Sequence, residues 1–176
     1  MQTQEKPYLT GRTFLFSIYK GEDLLQAIQY FCHHHQVRCG MISAIGAVER
    51  ASFTVYDQKA KKYHKINIEK ELEIISLTGN VSLFDDKPMV HAHAMFADSE
   101  GKAFGGHVVA GTKVFSCEVY IQELTGDIKV RKAMSLSMNR KELLRVIERT
   151  RKISRISRRS IERNRRRRRR DRLALA

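Results

Sequence analysis

Apolar and polar positions alternate with a period of two, or run apolar in short blocks, over most of the first 130 residues. Thr13 to Tyr19 reads as a first strand. Gly21-Glu22-Asp23 then opens a helix, with acidic residues in its first turn and Leu24, Ala27, Ile28 and Phe31 as its buried stripe. Gly40 to Ala47 is small and apolar and predicts a buried strand, followed by an alternating strand at Ala51 to Tyr56 and a polar turn at Asp57 to Lys62. Tyr63 to Ile68 and Leu72 to Leu77 predict further strands, with Thr78-Gly79-Asn80 as the turn that closes the second. Lys113 to Glu123 is the longest predicted strand, and Ile128 to Lys132 a last one. Closely spaced strands with one clear helix predict an α+β fold, a mostly antiparallel sheet with helical packing on it.

Between these elements lies the segment with the most chemistry. Met89 to Phe96 and Ala103 to Val109 both read as strands, and Asp98-Ser99-Glu100-Gly101 between them is turn chemistry. A three-residue loop, Ser99 to Gly101 with Gly101 left-handed, pairs Asp98 with Lys102. His93 then faces His107, and His91 lies two residues along on the same face. Opposed side chains of such a ladder have Cβ atoms about 4.5–5.5 Å apart and diagonal ones about 7–8 Å, within reach of a common ion. A lone His-x-His on a strand is often no more than a half-buried pair. Three imidazoles on one face of one hairpin predict a metal site, and Gly105-Gly106 beside them predicts a bulge or a close approach. Neutral imidazoles favour zinc or another late first-row divalent ion over magnesium or calcium. Three ligands leave one position for water or substrate, so Glu73, Glu118 and His64 are candidates for a base or an outer partner. His33-His34-His35 ends the helix, where consecutive side chains point about 100° apart and cannot share an ion.

Charge divides the chain. Of 33 Lys/Arg and 19 Asp/Glu, residues 139–176 hold 17 and 4, so nearly all of the formal +14 lies there and residues 1–138 are close to neutral. Two parts are expected: a domain over 1–138 and an arginine-rich tail over 139–176, helical or disordered. Arg158, Arg159, Arg163 and the unbroken run Arg165, Arg166, Arg167, Arg168, Arg169 and Arg170 are candidate contacts to nucleic-acid phosphates. DNA is the expected partner, with RNA or an anionic membrane as alternatives. The tail has no aromatic residue on which single-stranded bases could stack. Cys32, Cys39 and Cys117 show no metal spacing and no even disulfide framework. With no apolar leader at Met1 to Gly11 and no run of about 20 apolar residues, the expectation is a cytoplasmic protein with no transmembrane segment.

Gly21-Glu22-Asp23-Leu24, Ile42-Ser43-Ala44-Ile45-Gly46-Ala47, Glu73 to Asn80, His91-x-His93, Gly105-Gly106-His107 and Cys117-Glu118-Val119 resemble the plants-and-prokaryotes conserved domain, PPC, over Gly11 to Lys132. The resemblance implies an antiparallel sheet with flanking helices, assembled as a homotrimer. In the prokaryotic branch it also implies a metal, usually taken as zinc, on His91, His93 and His107. Such proteins are commonly called DNA-binding by analogy with plant members, which use separate Arg-Gly-Arg-Pro hooks; this chain has none. Its counterpart of the plant Gly-Arg-Phe-Glu-Ile-Leu core is Lys70-Glu71-Leu72-Glu73-Ile74-Ile75, which matches in its second half. Two functions follow: a metal-bound trimer that binds DNA through its tail, or a small-molecule metalloenzyme or sensor that uses the open metal position. Binding is favoured over catalysis, because no nucleophile or acid–base pair can be assigned.

Overall fold

The structure, a computed structural model, describes residues 7–126. Seven strands and one helix follow in the order β1 (Leu9–Ile18), α1 (Leu24–His34), β2 (Gly40–Asp57), β3 (Lys62–Ile68), β4 (Leu72–Phe84), β5 (Lys87–Ala97), β6 (Ala103–Val108) and β7 (Lys113–Thr125). Every pairing is antiparallel, in the sheet order β1-β7-β2-β4-β5-β6, with β3 paired to β2. The expected antiparallel sheet is present, with a single helix among the described residues.

Strand β2 shapes the sheet. Its first half lies between β4 and β7, and its second half between β3 and β6. Strands β2, β4, β5 and β6 thereby close on themselves, the last contact being Phe53↔Val108 and Thr54↔His107. Inward-facing Phe53, Leu77, Val81, Phe96 and Val108 fill the core. Helix α1 adds Leu24, Ile28 and Cys32, and Phe31 stacks on Phe16 with ring centroids 3.8 Å apart.

Four sequence expectations are corrected. The predicted strands at 40–47 and 51–56 are one 18-residue strand, which makes β2 the longest rather than the strand at Lys113. Gly46, at φ +142°, sits beside a register shift in which β4 carries the extra residue, so the bulge lies on β4 and β2 runs on without ending. Thr78-Gly79-Asn80 lies inside β4, and the turn falls at Asp85-Asp86, both at positive φ. Glu22 and Asp23 precede the helix; Asp23 is its N-cap, accepting from the Gln26 N–H at 3.0 Å. The predicted strand at Ile128 to Lys132 and the tail from Asn139 lie outside the described residues.

The sheet face away from α1 is open. Leu15, Tyr120, Ser43, Thr78 and His93 follow one another across β1, β7, β2, β4 and β5, so they share that face. Leu15, Met41, Ile45, Met95 and Tyr120 on it are exposed.

Candidate metal centre

His91 and His93 alternate with buried Ala92 and Ala94 on β5, which turns both imidazoles onto the open face. His107 on β6 pairs directly with His93, the register expected from the turn. Asp98 fixes that register. Its N–H donates to the Lys102 carbonyl at 3.1 Å, and its Oδ1 accepts from the Glu100 and Lys102 N–H groups at 3.1 and 2.9 Å. Gly101 supplies the left-handed residue at φ +77°. Lys70 Nζ lies 2.6 Å from Asp98 Oδ2 and holds that carboxyl below the usual carboxylate range.

The paired glycines serve close approach rather than a bulge. A Cβ on Gly105 would lie 2.6 Å from the Ala94 carbonyl oxygen, and one on Gly106 2.7 Å from that of Thr54. Bare backbone there lets β6 fit between β5 and the end of β2, with His107 opposite both His93 and Thr54.

The three rings converge. Their centroids are 5.3 Å apart for His91–His93, 4.9 Å for His91–His107 and 5.3 Å for His93–His107. One nitrogen from each lies within 4.8 Å of the other two. Burial, then the neighbouring His91 and His93, pushes the His107 imidazolium down to about 4, so this ring is neutral and able to donate a lone pair at neutral pH. With zinc–nitrogen bonds of about 2.0–2.1 Å, tetrahedral donors stand roughly 3.4 Å apart, so modest ring rotations bring this set onto one ion. The donor set fits a late first-row divalent cation. Asn80 pairs with His91 across β4 and β5, and its Oδ1 is buried without a hydrogen-bond partner among the described residues. Its place beside the rings was hidden in the sequence, where Thr78-Gly79-Asn80 reads as a turn.

The other candidates stay apart from this group. Glu73 is exposed on β4 and pairs with Ala97. Glu118 is on β7, which borders neither β5 nor β6. His64 faces Asp57 at 3.8 Å. None of them joins the three histidines, and no other set of three close donors occurs among the described residues. The histidines ending α1 pack on aromatics instead: His34 stacks on Tyr30, and His35 lies against Phe31 and Phe14. Arg158, Arg159, Arg163 and Arg165 to Arg170 lie outside the described residues.

Residues 6–125 match the Plants and Prokaryotes Conserved (PCC) domain. The chain is similar to a plant- and prokaryote-conserved (PPC) protein of Pyrococcus horikoshii, with 37% identity, a TM-score of 0.71 and coverage of 78% of this chain and 94% of that one. It is also similar to a metal-containing protein of Archaeoglobus fulgidus, with 36% identity, a TM-score of 0.71 and coverage of 77% and 95%. A Bacteroides thetaiotaomicron protein, provisionally described as DNA-binding, shares the fold at 23% identity and a TM-score of 0.66, over 75% of this chain and 94% of that one. Among curated proteins, the bifunctional protein GlmU of Synechococcus sp. (strain JA-3-3Ab) is 30% identical over 114 residues, 63% of this chain and 17% of that protein. The chain thus spans about a sixth of the length of the curated relatives it matches.

Proposed function

The chain belongs to the Plants and Prokaryotes Conserved (PCC) domain family, and from that premise we propose that it is a metal-binding homotrimer that engages DNA. The convergence of His91, His93 and His107 within 4.8 Å carries the metal reading. These three residues would hold the ion, and zinc suits three neutral imidazoles best. Similarity to a metal-containing archaeal protein supports the same reading.

Assembly would cover the open sheet face. Leu15 is 75% exposed and Ile45 58%, and Met41, Met95 and Tyr120 extend the apolar patch. A second copy of the chain is its proposed occupant, because an exposed apolar area of this kind is unusual on a monomer. Among the described residues no helix is long and apolar enough to cross a membrane.

The DNA reading rests on the arginine-rich tail and on provisional descriptions of proteins sharing the fold. Neutralising about 8 phosphates would give a salt slope of roughly −7, with little base preference. Replacing Arg165 to Arg170 by glutamine in the full chain should flatten that slope; an unchanged slope overturns the tail's role. A second reading, a small-molecule enzyme or sensor, is favoured by one observation: three histidines form the group, with no cysteine, carboxylate or fourth histidine in it among the described residues. An ion there would act as a Lewis acid toward a ligand at its remaining position.

Native mass spectrometry of the purified protein tests metal and assembly together. The expected mass is three chains and three ions. A monomer, or a trimer of bare chains, contradicts the corresponding half of the reading.

A further inference from the structure

The described residues carry 12 Lys/Arg and 13 Asp/Glu, so this part of the chain is slightly acidic. Four of the 12 cations nevertheless fall within residues 59–65, as Lys59, Lys61, Lys62 and Lys65, with no carboxylate among them. All four are exposed, on the hairpin that joins β2 to β3. Strand β3 pairs with β2 alone, while β2 also meets β6 at Phe53 and Thr54, so the hairpin is a two-stranded ribbon beyond that contact, where Val55, Tyr56 and Asp57 face His64, Tyr63 and Lys62.

Its tip is held in shape. Asp57 Oδ1 accepts from the Lys59 and Ala60 N–H groups at 2.8 and 2.9 Å, and Lys61 takes a left-handed conformation at φ 51°. Tyr56 and Tyr63 lie against each other behind it, centroids 4.9 Å apart. The nearest carboxylate, Asp57, faces His64, and Lys59, Lys61 and Lys62 form no ion pair among the described residues. Lys59, Lys61 and Lys62 lie at the ribbon's end, whereas Lys65 pairs with Thr54 nearer the sheet, where its Nζ donates to the Ala110 carbonyl at 3.5 Å.

We propose that this ribbon tip contacts the phosphate backbone of duplex DNA, a second nucleic-acid surface that rests on the ribbon alone and does not require the tail. The major groove of B-form DNA is about 12 Å wide and admits a two-stranded ribbon, so the lysines at the tip can meet the phosphates that line it. The major groove of A-form RNA is too narrow for this. A membrane is disfavoured by the tip residues Gln58, Lys59, Ala60, Lys61 and Lys62, none of which is a large apolar side chain. With no arginine, and with amide and carboxylate side chains only at Gln58, Asp57 and Asn67, the ribbon holds phosphate without reading sequence.

The test uses the full chain and a fluorescent 20-base-pair duplex, with affinity measured by anisotropy between 50 and 200 mM salt. In the variant Lys59→Gln/Lys61→Asn/Lys62→Gln, loss of three phosphate contacts should reduce the salt slope by about 2–3. Asparagine at 61 suits the left-handed backbone. The charge-retaining Lys→Arg triple should keep the parent slope. An unchanged slope in the neutral variant overturns the proposal, as does tighter binding to an RNA duplex, or a loss confined to phosphatidylserine vesicles. Substituting Arg165 to Arg170 in parallel separates the two surfaces: a ribbon effect without a tail effect sustains this proposal and removes the tail reading.

Discussion

His93 and His107 face each other directly across the β5–β6 ladder, with their ring centroids 5.3 Å apart. A slip of one residue would turn His107 into the core and Val108 outward, because side chains alternate with a period of two. The Asp98 hydrogen bonds and the left-handed Gly101 prevent that slip. A Cβ on Gly101 would meet nothing within 4 Å, so Gly101→Ala carries only the left-handed backbone cost, about 1–2 kcal/mol. Chemical denaturation should read that loss while metal content stays at the parent level.

Gly79→Ala is expected to do more. Its Cβ would come within 2.6 Å of the His91 carbonyl oxygen and 2.9 Å of Ala92 Cβ. Strand β5 must then move where it carries a histidine, at a cost of about 1–3 kcal/mol. Unlike Gly101→Ala, this variant should also bind metal more weakly in a chelator competition. Equal metal affinity in the two variants would contradict the link between close strand approach and the histidine group.

Arg12 clamps Glu123, its Nε and Nη2 donating to the two carboxylate oxygens, both at 2.6 Å. That contact holds the Glu123 carboxyl below the ordinary carboxylate range. A depressed carboxyl stabilises the fold above its unfolded value near 4.5, and the contribution is lost as pH falls through the lower folded value. Arg12 is half exposed, so solvent screening limits the effect to about 0.5–1 kcal/mol. Urea denaturation of Glu123→Gln and the parent should differ by that amount at pH 7 and converge in strong acid.

In metal-stripped protein, His107 should take up its proton near about 4 instead of at its ordinary 6.5. Below 6.5 the unfolded chain gains a proton that folded His107 refuses, so stability falls as pH drops from 6.5 towards 4 and levels off beneath it. The ring resonances of His107 followed by NMR check the titration. In His107→Gln this part of the pH dependence should be absent.

The histidine hairpin was legible because its determinants are local: strict alternation on β5, turn residues at Asp98 and Gly101, and a loop too short to allow another register. What stayed hidden depends on contacts distant in sequence. Gly79 has the composition of a turn residue, but it is glycine because β5 runs against it. Gly46 lies inside a predicted strand, but it is glycine because β7 runs against it, where a Cβ would overlap the Ser116 carbonyl oxygen. Closure through Thr54↔His107 has no local signal, and neither does the position of Asn80 beside His91. By contrast, the polar turn at Asp57 to Lys62 and the strand at Tyr63 to Ile68 were legible, because the β2–β3 hairpin is a local pairing.

The central claim is that His91, His93 and His107 hold one ion per chain. Elemental analysis of the purified protein and of His107→Ala, each at known protein concentration, tests it most directly. The account predicts about one late first-row divalent ion, zinc foremost, per parent chain, and none in the variant, with both proteins folded by circular dichroism. A parent protein free of such ions after purification without chelators and unable to take one up, or a variant that keeps its full complement, would contradict it.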